Sequence, residues 1–100
     1  PTPTGSVTDF TVVLSKSTSV EEINAKYKEA AEGPLKGIFQ YSEDPLVLKD
    51  IVKNPHSCIL DSELTMVTDG NFVKVVGWYD NEWGYSNRAA EAMALLAKGL

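Results

Sequence analysis

The stretch Leu64-Thr-Met-Val-Thr-Asp-Gly-Asn-Phe-Val-Lys-Val-Val-Gly-Trp-Tyr79 decides the fold class. Two β-prone runs, Leu64 to Thr68 and Phe72 to Tyr79, flank Asp69-Gly70-Asn71. That turn chemistry reverses a chain tightly enough to pair its two arms antiparallel. Gly70 supplies the positive φ that such a reversal needs without a Cβ penalty. A hairpin is therefore predicted, and the rest of the chain is read outward from it.

On its C-terminal side, Asp80-Asn81 offers an N-cap, Glu82 stands in the first turn and Lys98 in the last, so a helix follows with charges that suit its dipole. Ala89, Met93, Leu96 and Leu100 form its apolar stripe. On the N-terminal side, Ser57 to Leu60 is a further strand. Leu46 to Val52, before Asn54-Pro55, alternates too irregularly to choose between a helical turn and a short edge strand. Leu35 to Tyr41 reads as a strand closed by Ser42-Glu-Asp-Pro45. Upstream, Ser19-x-x-Glu22 is a capping-box pattern, and Val20, Ile23, Tyr27, Ala30 and Ala31 recur at helical spacing. Glu21, Asn24, Lys28 and Glu32 take the opposite side, and Gly33-Pro34 ends the helix. Ser6 to Leu14 opens the pattern as a β-branched strand with Thr8, Phe10, Val12 and Leu14 on one face. About five strands and two substantial helices argue for an α+β fold with a mixed, largely antiparallel sheet.

At 100 residues the chain supports one domain. Its 43% apolar and 23% charged residues are ordinary globular shares. So short a chain buries only about 60 to 70% of its unfolded surface, so packing against a partner or a further domain matters to its stability. Nine basic against fourteen acidic residues leave a net charge of -5, with no Lys/Arg stripe for a nucleic-acid backbone or a membrane surface. No apolar run approaches the roughly twenty residues of a spanning helix. One cysteine, Cys58, suits a reducing compartment, and a chain opening at Pro1 without a signal pattern is read as a cytoplasmic piece of a longer polypeptide.

Chemistry-bearing residues are few. His56 and Cys58 lie two positions apart, about 6.6 Å along a strand at roughly 3.3 Å per residue, which permits a thiolate-imidazole dyad without demanding one. The simpler reading makes Cys58 a small buried hydrophobe and His56 a loop residue. No phosphate-cradling glycine loop and no zinc ligand set is present in the sequence. The densest cluster is Trp78-Tyr-Asp-Asn-Glu-Trp-Gly-Tyr-Ser-Asn-Arg88, at a strand-to-helix junction where backbone donors and polar side chains converge. Asn81 and Tyr85 are one helical turn apart and so address one face.

That cluster, with Pro3-Thr-Gly-Ser-Val-Thr-Asp9, Ala30-Ala-Glu-Gly-Pro-Leu-Lys-Gly37 and Asp44-Pro-Leu46, resembles the glyceraldehyde-3-phosphate dehydrogenase family along essentially the whole chain. The resemblance implies that residues 1–100 are the C-terminal portion of the catalytic domain, with helices on one side of the sheet, the last helix at its edge, and the dinucleotide-binding domain absent. It implies a parent enzyme converting glyceraldehyde 3-phosphate, NAD and phosphate to 1,3-bisphosphoglycerate and NADH through a cysteine thioester. The family's Ser-Cys-Thr-Thr-Asn nucleophile and its histidine base have no counterpart here, so no catalytic residue is assigned, and His56 and Cys58 revert to structural roles. Asn81 matches the family asparagine that holds the nicotinamide carboxamide, and Tyr85 the tyrosine lining that pocket. NAD is thus bound mainly by the absent domain. The remainder of the parent chain, a homotetramer and a small-molecule substrate are the implied partners, and the isolated chain is expected to be inert. Two alternatives stand beside this: a relative acting on erythrose 4-phosphate, against which Tyr85-Ser86 leans, and a binding module or surface adhesin derived from the same protein.

Overall fold

A computed structural model describes residues 2–99. The elements run β1 (Ser6–Val13), α1 (Val20–Glu32), β2 (Phe39–Ser42), α2 (Leu48–Ile51), β3 (Cys58–Asp61), β4 (Met66–Thr68), β5 (Phe72–Tyr79) and α3 (Asn81–Ala97), with a single 3-10 turn at Ser62–Leu64. The sheet order is β1-β5-β3-β2, and β4 also pairs with β5. β5 pairs antiparallel with β1, β3 and β4, while β2 runs parallel to β3. The α+β expectation, with a mixed and largely antiparallel sheet, describes this architecture.

The hairpin forms at its tip as read, with Thr68 opposite Phe72 and Met66 opposite Lys74. Asp69 and Gly70 both adopt positive φ, at 54° and 80°. Its first arm is broken further down: Leu60 faces Gly77 and Ile59 faces Trp78. Between Leu60 and Met66 five residues lie against only two on β5, and the 3-10 turn absorbs the excess. Asn24 of α1 secures that insertion, donating from Nδ2 to the Ser62 carbonyl (3.1 Å) and accepting from Thr65 Oγ1 (2.7 Å). A residue read as solvent-side is thus a bridge from helix to sheet.

β1 runs beside the full length of β5, from Ser6 opposite Tyr79 to Val13 opposite Phe72. Strand alternation places Leu60, Val73 and Val75 on one face, where they form the core under Ile23 and Tyr27 of α1. Tyr27 stacks at a tilt on Phe39, ring centroids 5.7 Å apart. Ser19 caps α1 by accepting from the Glu22 amide at 3.1 Å. Glu22 turns its carboxylate to Thr18 Oγ1 (2.7 Å) rather than back to the cap backbone, so only half of the expected capping box forms.

The start of β2 differs from the reading, and the segment left open takes one of its two forms. The strand expected over Leu35 to Tyr41 begins only at Phe39. The Leu35 amide bonds Ala30 O and the Phe39 amide bonds Leu35 O, which continues helical turns past Gly33. The open segment Leu46 to Val52 contains the short helix α2, whose Ile51 is 1% exposed. At the other end of the chain, Met93 and Leu96 of the α3 stripe are exposed. Leu100, the last residue of that stripe, and Pro1 lie outside the described residues. The radius of gyration, 15.2 Å, exceeds the roughly 13 Å usual for 100 residues, as a helix carrying an exposed apolar stripe would make it.

Candidate functional site

The Ser6–Tyr79 register brings the residues before β1 beside those after β5. Asp80 is the hub of this junction and is only 4% exposed. It is the N-cap of α3, its Oδ1 accepting from the Trp83 amide at 2.9 Å. The same oxygen lies 3.4 Å from Thr4 Oγ1, and Oδ2 accepts from the Lys53 amide at 2.8 Å. The backbone donors of Lys53 and Trp83 hold the carboxyl below its ordinary pKa, outweighing the opposing effect of burial. Of the two residues read as capping candidates, Asp80 therefore takes the role and Asn81 is the first helical residue.

Freed from capping, Asn81 turns its side chain to the N-terminal segment. Its Oδ1 accepts from the Gly5 amide (3.1 Å) and from Ser6 Oγ (3.0 Å). Thr4 Oγ1 reaches the Glu82 carboxylate at 3.1 Å, which ties the same segment to the first helical turn. Asn81 and Tyr85 then line an open groove of about 620 Å³ with Thr2, Pro3, Glu82 and Ser86. Tyr85 is 76% exposed. A second recess of about 260 Å³, walled by Ser57, Gly84 and Arg88 among others, adjoins the same two residues. The sequence-derived pair thus shares one face, as its spacing requires.

The helix carrying them is locked at its start. A Cβ on Gly84 would stand 3.0 Å from the His56 carbonyl, so the missing side chain lets α3 lie against the loop before β3. Arg88 Nη1 donates to Pro55 O and to Ser57 Oγ, both at 3.1 Å, while Nε and Nη2 grip Glu91. The sequence alone assigns no role to Thr4, Gly5, Ser6 or Arg88. Their signal was only their place in distinctive stretches, because the β1–β5 register that assembles them is a long-range fact.

His56 and Cys58 are drawn into different surroundings. His56 Nδ1 lies 2.8 Å from Asn54 Oδ1, and burial, with the Arg88 charge second, lowers the ring's pKa. Cys58 Sγ lies over Gly77, and burial raises its pKa against the smaller opposing effect of the Ile59 amide. A raised thiol pKa is the reverse of nucleophile activation. Among the described residues no group of three or more His, Cys, Asp or Glu side chains is arranged to hold a metal ion. No helix among them is long and apolar enough to cross a membrane.

Residues 1–81 match the family model described as glyceraldehyde 3-phosphate dehydrogenase, C-terminal domain. The chain belongs to this family. Curated relatives extend the likeness through α3 and Tyr85. Glyceraldehyde-3-phosphate dehydrogenase of Mycolicibacterium smegmatis is 62% identical over all 100 residues, and that of Mycobacterium avium 61%. Glyceraldehyde-3-phosphate dehydrogenase 2 of Streptomyces avermitilis is 51% identical over the same span. The chain covers 29% of the length of the first two relatives and 30% of the third.

Proposed function

We propose that this chain serves as the C-terminal portion of the catalytic domain of a phosphorylating glyceraldehyde-3-phosphate dehydrogenase. The polypeptide it completes converts glyceraldehyde 3-phosphate, NAD and phosphate to 1,3-bisphosphoglycerate and NADH. It works in the cytoplasm as a homotetramer. The observation that carries the reading is the 62% identity, over all 100 residues, to a glyceraldehyde-3-phosphate dehydrogenase.

The junction of β5 and α3 fits the nicotinamide end of such a cofactor. When bound, NAD accepts the hydride, and the residues here serve to orient it. Among the described residues both hydrogen bonds of the Asn81 side chain go to Oδ1, so Nδ2 keeps its donors for the groove it lines. The exposed Tyr85 ring one turn on offers an apolar wall that keeps water from a planar ring. Neither residue transfers a proton or forms a covalent bond, which accords with a part of the enzyme that positions cofactor and leaves the bond-making to groups elsewhere.

The test is Asn81→Ser in the full-length dehydrogenase polypeptide. Loss of the carboxamide removes one or two hydrogen bonds of about 0.5 to 1.5 kcal/mol each, so hydride transfer falls on the order of tenfold. The helix cap on Asp80 is kept, so the melting temperature falls only by what the Gly5 N–H and the Ser6 hydroxyl lose when their shared acceptor goes, while ADP-ribose affinity stays unchanged. Unchanged turnover and unchanged NAD affinity would overturn the assignment. The 100-residue chain alone, given substrate, NAD and phosphate, should produce no NADH.

A further inference from the structure

The acceptor end of the Asn81 amide is already engaged. Oδ1 receives the Gly5 N–H and the Ser6 hydroxyl, both from the segment entering β1. A primary amide has two nearly isosteric ends, one accepting and one donating, and its neighbours decide which is presented. A serine hydroxyl can rotate to accept as well as donate, but a backbone N–H only donates. With Asn81 flipped, Gly5 N–H would face the Nδ2 hydrogens, donor against donor. Gly5 therefore sets the orientation, and Ser6 adds a second anchor that holds the side chain in place.

We propose that Gly5 and Ser6 are positioning residues that fix the flip of the Asn81 carboxamide, so that Asn81 donates from Nδ2 to the carbonyl oxygen of the cofactor's carboxamide. This rests on the reading that Asn81 faces nicotinamide. It narrows that reading from an amide that pairs with a carboxamide by either end to one that reads its carbonyl alone. The local backbone is shaped for the task. Gly5 has φ +97°, and a Cβ there would stand 2.5 Å from Leu48 Cδ1. Only glycine brings its N–H to Asn81 while the chain passes this close to α2. Ser6 sits at the first β1–β5 pair, opposite Tyr79 and two residues from Asn81 along the chain beyond it.

The experiment uses Ser6, whose substitution spares the tight passage at Gly5. In the full-length polypeptide, dissociation constants are measured for NAD, for ADP-ribose, which lacks the nicotinamide, and for the 3-acetylpyridine analogue, which keeps the ring carbonyl and lacks the amide NH2. Ser6→Ala should weaken NAD about threefold to tenfold, the equivalent of one hydrogen bond, and leave ADP-ribose unchanged. Ser6→Thr, which keeps the hydroxyl on a side chain suited to a strand, should restore NAD affinity. The analogue should lose as much as NAD does in Ser6→Ala, because the group it retains is the one being read. Equal losses for NAD and ADP-ribose would mark a merely structural role and overturn the proposal. An analogue insensitive to Ser6→Ala would also overturn it, since the NH2 would then be the partner. Asn81→Ala separates the two levels: if it weakens NAD alone while Ser6→Ala does nothing, only the positioning role falls. If Asn81→Ala leaves the NAD to ADP-ribose ratio unchanged, the nicotinamide reading falls with it.

Discussion

Asp80→Asn should destabilise the chain by about 2 to 3 kcal/mol near neutral pH although the new side chain has the same shape. Two backbone amides and one hydroxyl converge on the Asp80 carboxylate. Asparagine can keep Oδ1 toward the Trp83 amide and preserve the cap, but it then presents an NH2 to the Lys53 N–H. Lys53 is itself in the left-handed region, φ 65°, so the bond at 2.8 Å also holds a strained residue. A hydrogen bond to a charged group contributes about 1.5 to 3 kcal/mol, and the bond to Asp80 is partly shielded from water. Asp80→Ala removes the cap too, adding about 1 kcal/mol. The acid side supplies an independent check. Because folding lowers the Asp80 pKa from its ordinary 3.8, the contribution is full above that value and is lost as pH falls through the folded pKa. Urea unfolding followed by tryptophan fluorescence should therefore show the gap between wild type and Asp80→Asn narrowing in strong acid, where both side chains are neutral. A gap below about 0.5 kcal/mol near pH 7, or one that does not change on acidification, would refute the assignment of Asp80 as a charged acceptor for two strands of chain.

Gly77→Ala should cost about 1 to 3 kcal/mol, since its Cβ would lie 2.5 Å from Cys58 Sγ in the middle of the sheet. Cys58→Ala removes that atom, so the double variant should recover most of the loss in a double-mutant cycle, and strict additivity would show that the two sites do not touch. Arg88→Ala should raise the His56 pKa toward its ordinary 6.5 by removing the smaller of the two effects that depress it, which NMR titration of the ring reads directly. The neutral His56 makes its full contribution to stability above pH 6.5 and loses it as pH falls from there toward the folded pKa, so the variant should be less sensitive to mild acid than wild type. A ring that titrates lower in Arg88→Ala would contradict the geometry.

What the sequence disclosed and what it withheld follow from the range of the interactions involved. The hairpin tip, the α1 start at Ser19 and the α1 stripe are local patterns and form where their residues place them. The broken first arm was not legible, because whether Ser62–Leu64 continues a strand or coils out depends on Asn24, 38 positions from Ser62, being there to receive it. Asn24 itself stood on the polar side of a helix by periodicity, and nothing nearby in the sequence separates a solvated amide from one that bridges to a sheet. The β2 boundary moved for a related reason: the run from Leu35 has strand composition, yet its amides found carbonyls in the preceding helical turn before they found β3.

The site shows the same limit in its sharpest form at two adjacent residues. Asp and Asn are about equally favoured at a helix N-cap, so Asp80-Asn81 offers two candidates that statistics cannot rank. Their chemistry does rank them once the neighbours are known. Position 80 meets the amides of Trp83 and Lys53 and the Thr4 hydroxyl, a set of donors that an acceptor-only carboxylate satisfies on both oxygens. Position 81 meets donors on one side, from Gly5 and Ser6, and an open groove on the other, where an amide accepts inward through its oxygen and donates outward through a separate nitrogen. Exchanging the two residues would keep composition, charge and capping potential intact. It would still set an NH2 against a backbone N–H at position 80 and strip the groove of its donor at position 81, so the order Asp-Asn, rather than the presence of either, is what the junction requires.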